Sequence, residues 1–325
     1  MYPTTTLADL TLRPVTLDDA AFATSLWKSL DPDEPADAET VRYRWTHPPA
    51  GSFVERHIAM YEDRPEGIVV LQHRSWTDAP TRHAFVLADL SLAVRTRDRL
   101  ASLFDYLAAR GRAEGALTLM TDVRETDRWK IELVTSIGYR EDRRYRLWEL
   151  DLVDRRAQLL AWAEDAREKM GARGFEMRTL AEVDDPTKYE QMWRGHIEAE
   201  GDVPTTLPIT PPSLADYRDR LRRPGIYEDR IWVAMRDGEI VGTSYLEYPS
   251  GTHVGTAWTG TLRRVRGQGV ARALKLETIA QAIALGVPRV RTGNDAANAP
   301  ILHINEALGY RSIPGGILFL KDIST

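Results

Sequence analysis

The chain has 325 residues, 43% hydrophobic and 28% charged, with a formal charge of −5; this is more than one core ordinarily serves and predicts two soluble globular domains. Its acidic balance argues against a dedicated nucleic-acid binder, and with no run of 18 apolar residues and no basic-then-apolar start at Met1–Thr6, neither a membrane span nor a secretion signal is expected, which points to the cytoplasm. There is no cysteine, so disulfides, thiolate metal sites and cysteine nucleophiles are excluded.

In chain order, the first half opens with the strand-like Leu10-Thr11-Leu12-Arg13-Pro14, followed by Asp18-Asp19. It closes with Ile137-Gly138-Tyr139-Arg140-Glu141 and an alternating segment, Leu147 to Leu152. A helical run from Arg155 to Met170 follows, with Asp154 as the expected N-cap and Gly171 as the residue just past its end. It reads as a connector, giving domains at 1–153 and 174–325 joined by a helix over 154–173.

The second half repeats the first. Phe175-Glu176-Met177-Arg178 and Asp184-Asp185 parallel the opening, and Leu308-Gly309-Tyr310-Arg311-Ser312 parallels Ile137–Glu141 at an offset of 171 residues. So long a period predicts tandem domains and not a solenoid. Within this half the pattern predicts a strand over Phe175–Thr179, helices at 189–200 and 214–222, and strands at Ile231–Met235, Glu239–Tyr248 and His253–Leu262. A helix at 269–285, a strand Arg289–Thr292, a helix at 299–308 and a last strand, Leu318 to Ile323, complete a mixed α/β domain.

The segment Arg266-Gly267-Gln268-Gly269-Val270-Ala271 lies between a strand and a helix. Glycines there let the backbone approach a ligand closely, and the helix N-terminus favours an anion, so the loop reads as a pyrophosphate cradle with Arg266 adding positive charge. Val270 stands where a Walker loop needs lysine, and four residues separate the strand from the first glycine, against a dinucleotide fingerprint.

This arrangement, with Asn298 and Asn305-x-x-Leu308-Gly309-Tyr310 downstream, resembles the GNAT superfamily of acyl-CoA-dependent N-acyltransferases; Arg266, Gly269 and Ala271 satisfy its Q/R-x-x-G-x-G/A signature. The resemblance implies a mixed-sheet α/β fold in two tandem GNAT-like domains, similar to mycothiol synthase-like actinobacterial proteins. It implies that Arg266 to Ala271 hold the CoA pyrophosphate, that Thr261 and Leu262 pair by backbone with the pantetheine arm, and that Asn298 helps position that arm. Asn298 before Ala299-Pro300 is equally a good N-cap. Aligned on Gly138-Tyr139, the first half places Arg95-Thr96-Arg97-Asp98-Arg99-Leu100 opposite the loop, with no glycine and with Asp98 repelling phosphate. The first domain is therefore expected to be a degenerate scaffold that closes one side of the substrate pocket.

Acyl transfer to an amine needs an unprotonated nitrogen, a stabilised oxyanion and often an acid for the leaving thiolate. The family's usual acid position is Asn305 here, about 40° around the helix from Ile301, and its usual base position is Gly255. Glu247 on the neighbouring strand is the candidate substitute base. An alkyl amine near pKa 10.4 loses about 4 kcal/mol without a base near neutral pH, whereas one near 8 loses under about 1. Around 193–217, His196, Glu198, Glu200 and Asp202 read as an acidic rim for a cationic amine, with Pro204, Pro208, Pro211 and Pro212 stiffening it. No histidine pattern suggests a metal, and Trp258 is a candidate lining of the acyl pocket. The expectation is an N-acetyltransferase that uses acetyl-CoA as co-substrate and a small-molecule primary amine as acceptor, in a ternary complex. The alternatives are an acyl-CoA-binding protein without turnover and an aminoacyl-tRNA-dependent transferase; the intact loop and negative charge weigh against the latter.

Overall fold

The structure is a computed structural model that describes residues 5–324 except 8, 33–36, 78, 80, 209 and 250–253. Its elements are β1 (Thr5–Leu7), β2 (Leu10–Pro14), α1 (Ala20–Leu30), α2 (Ala38–Thr46), β3 (Phe53–Tyr61), β4 (Arg64–His73), β5 (His83–Leu90), α3 (Arg97–Ala113), β6 (Thr118–Arg124), α4 (Arg128–Ser136) and β7 (Arg140–Asp151). There follow α5 (Arg156–Ala172), β8 (Glu176–Thr179), α6 (Lys188–Glu200), α7 (Leu214–Leu221), β9 (Ile231–Arg236), β10 (Glu239–Glu247), β11 (Val254–Thr261), α8 (Val270–Ala284), β12 (Arg289–Asp295), α9 (Ala299–Leu308) and β13 (Arg311–Asp322). No helix among the described residues is long and apolar enough to cross a membrane.

The chain divides into two compact units, the first made of residues 1–145, 206–210 and 314–325, the second of 146–205 and 211–313. From β2 to β7 and again from β8 to β13 the same succession appears: strand, two helices, three antiparallel strands, helix, strand, helix, long strand. The short sequence matches are thus two copies of one fold, and the Gly-Tyr pairs have a physical cause. Gly138 and Gly309 end their helices at φ 95° and 83°, which only glycine adopts cheaply. The next residue, Tyr139 or Tyr310, donates its N–H back into the last turn at 3.0 Å and buries its ring.

The strands run β1-β2-β3-β4-β5-β6-β13 in the first unit and β7-β12-β11-β10-β9-β8 in the second. The expected boundaries therefore shift. The helix placed as a connector, α5, belongs to the second unit, burying Leu159, Ala163 and Ala166 beside Leu274, Ile279 and Ile283 of α8. Arg167 adds an ion pair to the buried Glu277 (2.6 Å). The α5 caps also differ: Asp154 makes no cap, Gly171 lies inside the helix, and Gly174 takes the positive φ of 77°. The last strand is longer than expected, and from Pro314 onward it belongs to the first unit. There it pairs antiparallel with β6 from Gly316–Arg124 to Asp322–Thr118 and buries Ile317, Phe319 and Ile323 in that unit's core. The other expected elements of the second half appear within a few residues; His253, expected to open β11, lies outside the described residues.

In each unit the strands carry helices on both faces. In the first unit α3 packs Leu103, Phe104 and Leu107 on one face and α1 packs Ala23 and Leu26 on the other. In the second, α5 and α8 cover one face while α6 and α7 place Met192 and Tyr217 on the other.

Truncation after Ile313 tests this assignment of the last strand. It removes three buried large side chains, at roughly 1.5–3 kcal/mol each, and strips β6 of a partner. Amide exchange across Leu119–Val123 should rise toward that of an unfolded segment; retained protection there would show that the first unit closes its sheet without β13.

Candidate active site

The second unit contains a cleft of about 360 Å³, and the strands explain why it exists. β11 and β12 run parallel and, among the described residues, pair only at Val254–Val290 and Gly255–Arg291. Beyond these they separate, so Thr256 and Thr292, the first residues past the split, line the cleft. On its other side β11 stays paired with β10, with one irregularity: Tyr245 faces Trp258 and Leu246 faces Thr256, leaving Ala257 without a partner in the register. Such a bulge turns backbone groups out of the ladder, and Thr256, Ala257 and Trp258 all line the cleft.

At the mouth lies the glycine loop. Gly267 and Gly269 have φ of 73° and 87°, the left-handed region where other residues are strained. A Cβ at Gly267 would meet nothing within 4 Å, and one at Gly269 only the Met170 methyl at 3.6 Å. Backbone angle, not crowding by the protein, requires glycine here, and the space over the loop is left open. The free N–H groups of the first turn of α8 follow directly. Arg173 at the end of α5 pins the loop from below, donating to the Gln268 carbonyl (2.7 Å), while the Gln268 amide donates to the Arg264 carbonyl (3.2 Å).

Of the residues expected to hold acyl-CoA, Thr261, Arg266, Ala271 and Asn298 line the cleft. Gly267, Gln268 and Gly269 form the adjoining loop. Val270 is buried in the core and Leu262 packs on it. Arg266 is less free than its charge suggested: Nη1 pairs with Asp202 (2.7 Å), and Nε and Nη2 donate to the Thr261 carbonyl at 3.3 Å. Asp202 also takes two hydrogen bonds from Arg263, and the two guanidiniums, Arg263 first, hold its carboxyl at about 2. Asn298 precedes α9 without making a side-chain cap, so its amide is left to the cleft it lines.

The residues expected to do chemistry are differently placed. Asn305 is buried and donates to Asn294 (2.7 Å), with its own carbonyl oxygen unpartnered. Glu247 lies across from Gly255 in the β10–β11 register, but its carboxylate takes a hydrogen bond from Arg223 (2.7 Å), and it is not among the cleft-lining residues. The acidic rim is mostly engaged: Glu198 accepts from the Arg263 N–H (2.5 Å) and Asp202 is doubly paired. His196, expected at that rim, is instead 95% buried, 4.0 Å from the Trp258 ring and 3.6 Å from Glu200, with neither ring nitrogen hydrogen-bonded.

One group went unnoticed in the sequence. Lys275 lines the cleft, is 1% exposed, and its ammonium nitrogen has no hydrogen-bond partner. Burial alone brings its pKa down to about 7. The signal was present: one of only six lysines sits four residues from Ala271 and from Ile279, on the inward face of an apolar helix.

Residues 198–310 match the model of the acetyltransferase (GNAT) family. No curated protein matches the chain. Among solved structures, a tandem GNAT protein from the clavulanic acid biosynthesis pathway is 15% identical, with 97% of this chain and 99% of that one covered at a TM-score of 0.74. A GCN5-related N-acetyltransferase from Sphaerobacter thermophilus is 18% identical over 98% and 97% of the two chains, at 0.71. The fold over nearly the whole chain is therefore that of tandem GNAT proteins.

The buried amine has a measurable consequence. Lys275 releases its proton in the folded protein near pH 7 but near 10.4 when unfolded. Between these values the unfolded chain binds one more proton, so stability rises with pH. Between about pH 7.5 and 9, Lys275→Met should reduce that slope by about 1.4 kcal/mol per pH unit in denaturant titrations. An unchanged slope would mean that the amine is hydrated in the folded state.

Proposed function

We propose that the protein is an N-acetyltransferase that moves an acetyl group from acetyl-CoA to a primary amine of a small molecule, with one site, in the second unit. The observation that carries this reading is the cleft itself: two strands parted beyond Gly255 and Arg291, leading from a loop of two positive-φ glycines to a bulge at Ala257. The loop and the start of α8 suit a pyrophosphate, and the unpaired edge of β11 from Thr256 to Thr261 suits the amides of a pantetheine arm. Coenzyme A supplies an activated thioester there. The turned-out backbone at Ala257 is the candidate donor to the developing oxyanion. With no cysteine in the chain, the acceptor attacks directly. Because Glu247 is taken up by Arg223, a weakly basic amine, whose deprotonation costs under about 1 kcal/mol, is the favoured acceptor class.

The first unit is read as the copy without this site. Among the described residues its β5 and β6 also pair at only three positions before parting. Beside them Lys130 of α4 donates to Asp89 of β5 at 2.5 Å, both nearly buried, and Asp122 of β6, raised by its burial, lies in the same cluster. Thr96 caps α3 with its own side chain, and Arg95 is committed to Asp127.

A second reading, an acyl-CoA-binding protein without turnover, is favoured by the engagement of both Asn305 and Glu247. Release of free thiol over a panel of amines distinguishes the two.

Titration calorimetry with acetyl-CoA should give one site per chain. Gly269→Glu should abolish binding by filling the cradle with negative charge, whereas Gly269→Ala adds only backbone strain and should weaken it less. Two sites per chain would overturn the reading of the first unit, and no binding would overturn the cleft as a CoA site.

A further inference from the structure

The cleft wall contains a charge-bearing group with nothing to bind. Lys275 is as buried as the leucines around it, yet its nitrogen meets no acceptor; its near neighbour is the face of the Tyr310 ring, 5.0 Å away. The other charged residues lining the cleft do not answer it. Asp202 is paired with Arg263 and Arg266, and Asp295 accepts from the Ala297 N–H (2.8 Å). Buried polar atoms are almost always partnered, and an orphan in a ligand-sized cleft marks where a ligand atom goes.

Position along the cleft says which atom. Ala271, at the loop end, and Lys275 lie four residues apart on α8, on the same face and about 6 Å along the axis. Both line the cleft, and so do Thr256 and Thr292, the residues at which the strands first part. An extended arm running from the loop toward the bulge brings its far end, where the sulfur is, to the apex that Lys275 faces. The helix position that would supply an acid holds Asn305, which cannot give up a proton and is bonded to Asn294.

We propose that Lys275 is the hydrogen-bond and proton donor to the sulfur of coenzyme A, standing in for the acid that Asn305 cannot be. This rests on the reading of the cleft as the CoA site. As the acceptor nitrogen forms its bond to the carbonyl carbon and the carbon–sulfur bond breaks, the electron pair goes to sulfur and an Nζ proton follows it. The nitrogen sheds its own proton to solvent, and Lys275 regains one from solvent. The positive charge of the ammonium stabilises the sulfur's developing negative charge before the proton moves.

The test needs no acceptor and no turnover. The ionisation of the thiol of free coenzyme A, saturating the protein, is followed by thiolate absorbance against pH, with the desulfo-CoA complex as blank. A donor at the sulfur lowers the thiol's pKa below its value in solution, whereas a merely apolar pocket raises it. The wild-type complex should show the lowering, and Lys275→Met, which keeps an apolar chain of similar length, should raise the pKa by about one unit or more. A wild-type thiol that ionises at or above its solution pKa would overturn the assignment, as would equal values in the two proteins. Failure of coenzyme A to saturate the wild-type protein in calorimetry would instead defeat the reading of the cleft.

Discussion

The second unit turns on a strand pair that parts after Gly255 and Arg291. β11 and β12 meet at Val254–Val290 and Gly255–Arg291 and then part, which leaves backbone groups of β11 facing open space instead of a neighbour. A sheet interior normally satisfies such groups with its own ladder; leaving them free only makes sense if something else lies along them. The loop, the bulge and Lys275 are disposed around that gap, and none would face a common space if the strands stayed paired.

The first unit shows the same geometry put to a different end. Beside its parted strands Lys130 of α4 pairs with Asp89 of β5, a buried lysine that has its carboxylate. Lys275 in the second unit is a buried lysine that has none. A buried charge left without its partner carries an uncompensated desolvation cost, which a ligand atom at the nitrogen of Lys275 would relieve. Two copies of one fold thus differ in whether the chain answers its own polar groups.

The glycine loop was legible in the sequence because glycine at a strand-to-helix junction has few uses, and the tandem arrangement because Gly138-Tyr139 and Gly309-Tyr310 each encode a left-handed helix end followed by a buried ring. The path of the last strand was not legible: Leu318 to Ile323 reads as a strand in any neighbourhood, and which sheet it joins depends on pairings hundreds of residues apart. The bulge at Ala257 has no signature, being a register slip between otherwise regular strands. Arg266 and Asp202 line the cleft and Glu247 lies across from Gly255 in the strand register, but sequence does not say that such charges neutralise one another or a neighbouring arginine. Lys275 is visible in the sequence as a lysine on an apolar helix face, but hydrophobic spacing alone does not say whether such a lysine finds a partner.

The course of β13 has a consequence for how the chain is made. The strand that flanks β6 follows it in the chain only after most of the second unit's residues, so during synthesis the first unit cannot complete its sheet until those residues have been made. Until residues 314–322 are synthesised, β6 presents an open edge and the pocket for Ile317 and Phe319 stands empty. Long-range pairings of this kind slow folding and leave edges available to wrong partners. The newly made first unit therefore carries that open edge until the second has been translated.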